Sequence, residues 1–272
     1  MDLKTYLNQF LFGYYPYICL TVFFLGSLIR FDREQYTWKS DSSQLLRHGQ
    51  LRWGSNLFHV GILGIFAGHF TGLLTPLTVW HALGITPAEK QLTAIVGGGI
   101  FGLMCVIGLA MLFLRRLGDA RIRASSRPMD VVVLVLLIVQ VLLGLAGIPL
   151  SMQHMDGSEM VKFMGWAQRI WSFRGGAADL IANVSIIFKL HVVLGLTIFL
   201  LFPFTRLVHI WSGFASVFYL LRPYQLVRSR GAGRGSGGGL AHSREKPGRE
   251  APLPVRWKRA SCGYGLGPAT IM

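Results

Sequence analysis

Five separate stretches of this chain, at about residues 10–29, 53–73, 92–114, 130–150 and 184–207, are each long and apolar enough to cross a bilayer, a crossing that takes roughly 20 residues as a helix. No other feature limits the fold as far. Backbone polar groups find no water in the hydrocarbon core, so isolated segments cross it as helices. The expected fold class is an all-α integral membrane protein, a bundle of five transmembrane helices. Composition agrees, with 52% of the 272 residues hydrophobic and 14% charged, against about a quarter charged in a soluble domain. Disorder and a disulfide scaffold are excluded for the bulk of the chain. Cys19, Cys105 and Cys262 form no CxxC pair, so neither a zinc site nor a disulfide framework is indicated. No basic segment followed by a small-residue cleavage site opens the chain, so no signal peptide is expected. The segment 151–183 is amphipathic and too polar to span; it reads as a long loop with a short surface helix near Met160–Ile170.

The 27 Lys and Arg outnumber the 12 Asp and Glu, and the apolar runs assign that excess to an anionic membrane surface instead of nucleic acid. Arg30, Arg33, Lys39, Arg47 and Arg52 gather around the first connection, and Arg115, Arg116, Arg121, Arg123 and Arg127 in the third. Lys4, Lys90, Lys162, Arg169 and Arg174 lie on the other side. By the positive-inside rule, connections one and three are cytoplasmic, the N-terminus outside and the C-terminus inside. Residues 1–222 form the transmembrane domain. Residues 223–272 read as a basic cytoplasmic tail, with six glycines in 231–239 and too little apolar surface to fold. A solvated tail near anionic lipid and a nucleic-acid-binding tail both remain open for it.

Eight histidines are present, and four fall on two spans: His59 and His69 on the second, His191 and His209 on the fifth. Ionisable side chains inside a membrane are costly and usually functional. The two spans run antiparallel, so His59 pairs with His209 toward the cytoplasmic face and His69 with His191 toward the outer face. Each pair can offer two imidazoles to one flat metal macrocycle, which makes two haem sites. Along a helix His191 and His209 are about 27 Å apart on one face, whereas His59 and His69 are about 15 Å apart and some 80° out of phase. The helices must tilt, or the rings differ in orientation, and Pro203 offers a place to bend. Zinc and copper sites want three or four close ligands, and no thiol or carboxylate lies near these histidines in the spans. Two axial imidazoles close both faces of an iron, which suits electron transfer and not oxygen chemistry. His48, His81, His154 and His242 read as surface or loop residues.

Two glycine stripes, Gly64–Gly68–Gly72 and Gly98–Gly102, read as surfaces for close helix approach. Gly195, one turn after His191, is expected to give a porphyrin clearance. A transporter would carry polar groups along a midplane path, but spans three and four hold almost none beyond Gln140. A cofactor-free membrane anchor would have no use for four intramembrane imidazoles.

The segments NLFHVGILGIFAGHFTGLLTP (56–76), SMQHMDGSEM (151–160) and LHVVLGLTIFLLFPFTRLVHIWS (190–212) resemble the cytochrome b, or gamma, subunit of membrane-bound respiratory nitrate reductase; QYTW (35–38) and YQLVRSR (224–230) agree. The likeness runs from about Tyr14 to Arg230, so residues 231–272 have no counterpart, whether as a real extension or as readthrough. It implies a five-helix subunit of a bacterial inner membrane holding two b-type haems, the inner on His59 and His209, the outer on His69 and His191. It further implies oxidation of membrane quinol near the outer side, with electrons passed to an iron–sulfur (beta) subunit and then to a molybdenum (alpha) subunit that reduces nitrate. The quinol-site lysine of that family falls on Lys90, although the loop 77–86 departs from the family pattern. From physics alone, Lys90 also suits snorkelling at a helix start. The loop Arg115 to Arg127 can dock the soluble subunits or serve topology alone.

Overall fold

The structure, a computed structural model, describes residues 2–34, 48–124 and 126–212, and all of their regular structure is helical. The unit Met1–Pro223 contains them; the unit Tyr224–Met272 lies outside the described residues. Lys39, Arg47, the QYTW and YQLVRSR strings, Cys262, the basic tail and His242 therefore lie outside them too, as does the side chain of His48.

Five helices are long and apolar enough to cross a membrane. The first is built from α1 (Leu3–Gln9), a π-turn (Phe10–Tyr14) and α2 (Tyr15–Glu34). The others are α3 (His48–Leu74), α5 (Pro87–Gly118), α7 (Pro128–Met152) and α10 (Ile186–Leu201). Short helices α4 (Leu77–Ala82), α6 (Ala120–Ala124), α8 (Ser158–Trp171) and α9 (Ala177–Leu180) lie in the connections. Leu63, Phe70, Leu103, Ile107, Val135 and Leu142 point outward. Such apolar exteriors would be a liability in water and are what lipid requires.

Local chemistry sets the boundaries. Thr86 caps α5 with a reciprocal box: its hydroxyl accepts from the Glu89 N–H, and Glu89 accepts from the Thr86 N–H. Pro87 and Pro128 open α5 and α7 at the position where a missing N–H costs nothing. The fifth span breaks where Pro203 forbids continuation, giving 3-10 turns at Phe202–Phe204 and Arg206–Val208. The Arg30 guanidinium on α2 donates to the Pro203 carbonyl at 2.7 Å and to the Thr205 carbonyl at 2.9 Å, satisfying groups that the break sets free.

Neighbours follow the order α3, α5, α7, α10, α2. The α3–α5 contact is the closest because glycines face backbone: a Cβ on Gly61 would lie 2.7 Å from the Cys105 nitrogen, and one on Gly108 2.4 Å from the Phe58 nitrogen. The expected stripe is only partly right. Gly64 receives the Phe101 ring of α5 and Gly102 the Leu145 side chain of α7, as close helix approach requires, but Gly68, Gly72 and Gly98 have no neighbour within 4 Å.

The segment 151–183 differs from its sequence reading. Its helix α8 is not a surface helix, because Met164, Trp166 and Ile170 are buried, the latter two in a cluster with Phe12, Ala177, Ala178, Ile181 and Val184. The Trp166 indole donates to the Phe12 carbonyl at 2.9 Å, and Asn8 to the Ala178 carbonyl at 2.8 Å. This segment is a folded lid over one end of the bundle. At the other end, Arg115 is buried and Asp130 lies 3.4 Å from Arg116 and 3.9 Å from Arg206. Two of the basic side chains suited to docking a partner are thus occupied inside the bundle.

Candidate functional site

The four span histidines come together as two pairs, each with one ring from α3 and one from the fifth span. His59 and His209 have ring centroids 6.3 Å apart, with 75° between planes; His69 and His191 are 6.0 Å apart, with 36° between planes. The argument that His191 and His209 share one continuous helical face does not hold, since α10 ends at Leu201. The break after Leu201 re-aims the chain, and His209 reaches its partner from the residue following the second 3-10 turn.

Each ring commits its Nδ1 to a carbonyl, and His191 Nε2 also lies 3.4 Å from the Gln140 side-chain nitrogen. Nδ1 of His59 donates to the Ser55 carbonyl at 2.7 Å, that of His69 to Ile65 at 2.8 Å, that of His191 to Gln140 at 3.1 Å and that of His209 to Arg206 at 2.7 Å. A carbonyl accepts only, so Nδ1 carries the proton and Nε2 is left with its lone pair, the state a metal ligand needs.

The donor set fits haem. Two metal–imidazole bonds of about 2.0 Å in line, with about 1.1 Å from each Nε2 to its ring centre, need centroids about 6 Å apart; the observed 6.3 and 6.0 Å meet that. Among the described residues no group of three or more His, Cys, Asp and Glu could hold a bare metal ion. Two imidazoles suffice only where the other four donors arrive with the ligand, as in a porphyrin. Between the pairs, Phe66 of α3 faces Phe199 of α10 at 6.5 Å.

Gly195 serves a different purpose from the one expected of it. A Cβ there would lie 3.0 Å from the Gln140 amide nitrogen, so the glycine admits that side chain. Lys90 does not snorkel. It is buried, donates to the Gly72 carbonyl at 2.6 Å, contacts Met164 Sδ at 2.8 Å and lies 5.2 Å from the Trp80 ring centre. Together with Gln168, which donates to Leu73 and Thr75, it satisfies carbonyls at the end of α3. His154 and His81 are exposed, as expected of surface residues.

A helical bundle that crosses the membrane and presents paired imidazoles, each with its proton on Nδ1, defines a class, the multi-pass membrane cytochromes. Comparison with known proteins identifies the family: the family model for the nitrate reductase gamma subunit matches residues 8–230, and the chain belongs to that family. It is 55% identical over 226 residues to the respiratory nitrate reductase 2 gamma chain of Escherichia coli (strain K12), covering 83% of this chain and 98% of that one. Identity to the respiratory nitrate reductase 1 gamma chain of the same strain is 52%, covering 83% and 99%. The nitrate reductase gamma chain of Bacillus subtilis (strain 168) is 39% identical over 223 residues, covering 82% and 99%. The chain is the cytochrome b subunit of a multi-subunit nitrate reductase complex, an oxidoreductase subunit of nitrate respiration in the bacterial inner membrane.

Proposed function

We propose that the chain holds two b-type haems, each between two histidines: an inner one on His59 and His209 and an outer one on His69 and His191. The observation that carries this reading is the meeting of the four rings as two pairs, with centroids 6.3 and 6.0 Å apart and every Nδ1 committed to a carbonyl, so that Nε2 is the nitrogen with the lone pair. When bound, each haem would supply a one-electron carrier, held by the two histidines of its pair. The chain orients the rings through their carbonyl partners. The Phe66 and Phe199 rings, 6.5 Å apart, lie between the pairs along the two spans.

The substrate is membrane quinol, oxidised beside the outer pair, where its two protons leave on the outer side. Electron flow is inward, to an iron–sulfur (beta) subunit and then a molybdenum (alpha) subunit. Lys90 lies toward the outer end of α3, where it bonds the carbonyl three residues beyond His69, and an ammonium retains a third N–H after its bonds to Gly72 and Met164. That proton is assigned to a quinol oxygen. The excess of Lys and Arg in connections one and three supports an outer N-terminus and a cytoplasmic C-terminus. Residues 1–222 constitute the haem-holding domain, and 223–272 a basic cytoplasmic tail.

The test is the ratio of haem to chain in purified protein, with redox titration of single variants. Two haems per chain are expected. His59→Ala and His209→Ala should remove one component, His69→Ala and His191→Ala the other. A ratio near one or zero, or loss of the same component from His59→Ala and His191→Ala, overturns the assignment.

A further inference from the structure

Helix α7 is the most apolar of the five spans, yet it carries an amide, Gln140, facing α10. A polar group in mid-span is costly unless it is used. Gln140 spends itself on one residue. Its backbone carbonyl accepts from His191 Nδ1 at 3.1 Å, and its side-chain nitrogen donates to the His191 carbonyl at 3.1 Å and lies 3.4 Å from His191 Nε2. Two glycines make room for this arrangement. In a helix the side chain four residues on lies over the carbonyl of residue i, because Cβ atoms tilt toward the N-terminus. At Gly144 that cover is missing, and a Cβ there would stand 3.1 Å from His191 Cε1 and 3.6 Å from its Nδ1. On α10, a Cβ at Gly195 would stand 3.0 Å from the Gln140 amide nitrogen.

The other three span histidines bond a carbonyl three or four residues back in their own chain segment: Ser55, Ile65 and Arg206. Of the four, His191 is the one whose acceptor lies on another helix. The Gln140 side-chain oxygen is buried without a partner, a cost that an apolar residue of the same length would avoid. Packing alone does not account for an amide at this position.

We propose that Gln140 and Gly144 are positioning residues for His191: through them α7 sets the rotation of the ring and the hydrogen bond at its Nδ1, and with these the reduction potential of the outer site. The inference rests on the assignment of His69 and His191 to a haem. A carbonyl accepting from Nδ1 makes the imidazole a more basic ligand, and hydrogen bonding beyond the ligands is one of the protein's levers on potential. A more basic ligand favours the oxidised iron. Weakening the bond to Gln140 therefore raises the outer potential. The acceptor rides on α7, so the bond reports how α7 and α10 are packed.

The experiment uses the assembled complex carrying Gly144→Ala, which pushes the ring off the carbonyl, or Gln140→Met, which keeps length and volume but removes the donor. His191→Ala, prepared in parallel, identifies the outer component as the one it loses. Redox titration and low-spin electron paramagnetic resonance are recorded for each. Gly144→Ala is expected to raise the outer midpoint and alter its g values. Gln140→Met, which keeps the backbone carbonyl and loses only the side-chain donor, is expected to alter the outer g values through the rotation of the ring. The inner component stays unmoved in both. Selective loss of the outer component, with the inner one intact, supports the same inference. An outer component unmoved in both variants, or both components shifted or lost together, overturns it. Should Gly144→Ala fail to accumulate, the volume-preserving Gln140→Met decides alone. Retention of both components in His191→Ala would overturn the haem assignment itself, a result distinct from any outcome of the other two variants.

Discussion

Lys90 carries two demands at once. Its ammonium closes the Gly72 carbonyl at 2.6 Å, where a cation also meets the negative end of the α3 dipole, and the quinol reading asks for one further proton from it. Lys90→Ala removes a charged donor worth about 1.5–3 kcal/mol. Quinol-dependent haem reduction should slow about tenfold or more, since about 1.4 kcal/mol is a factor of ten. Haem content and reduction by dithionite should remain, because Lys90 contacts neither histidine pair. Stopped-flow spectra with a quinol analogue check this. Unchanged quinol kinetics in a fully loaded Lys90→Ala protein would leave Lys90 as a helix cap and nothing more.

Among the elements, α3 and α5 are held closest, and the cause is the absence of side chains where they cross. Gly61→Ala would put a methyl 2.7 Å from both the Cys105 nitrogen and the Phe101 oxygen, which are backbone atoms and cannot turn aside. Overpacking of that kind costs about 1–3 kcal/mol. Gly118→Ala, at the far end of α5 and away from both histidine pairs, meets nothing within 4 Å and should be neutral. Thermal loss of the haem absorbance compares the two; equal stability would show that the helices can part without cost.

This contrast also marks what a reader of the sequence can see. Five spans are legible because transfer to lipid is a property of each segment alone, and the opposed histidines follow from antiparallel order. The partners of Gly61, Gly108 and Gly195 are not legible, because they depend on crossing angles that no local pattern encodes. Lys90 misleads for a related reason: a lysine at a helix start has the same local pattern whether its head meets water or a carbonyl 18 residues away. The burial of α8 escapes notice because its apolar residues match a lid formed partly by Phe12, 154 positions away from Trp166.

At the scale of the whole molecule, the proposed quinol oxidation makes the direction of the bundle decide on which side protons leave. The proposed orientation places His81, exposed at the end of α4, on the outer side, and exposed Arg121 of α6 on the inner side. Cys19 and Cys105 are buried, so single reporters are practical once Cys262 is replaced by Ser. His81→Cys should react with a membrane-impermeant maleimide in right-side-out vesicles, and Arg121→Cys only in inverted ones. The reverse pattern would turn the bundle over and with it the direction of charge movement.

The bond from Arg30 to the Pro203 and Thr205 carbonyls spans 173 and 175 positions of sequence. It therefore has a meaning for biogenesis. The earliest helix to leave the ribosome waits for the last, and the bend that aims His209 is secured only when the two ends of the bundle meet. His191, by contrast, is seated by α7, the span made just before its own. A nascent chain lacking its fifth span has neither His191 nor His209 and cannot offer Arg30 these two carbonyls, so it cannot be mistaken for a finished one.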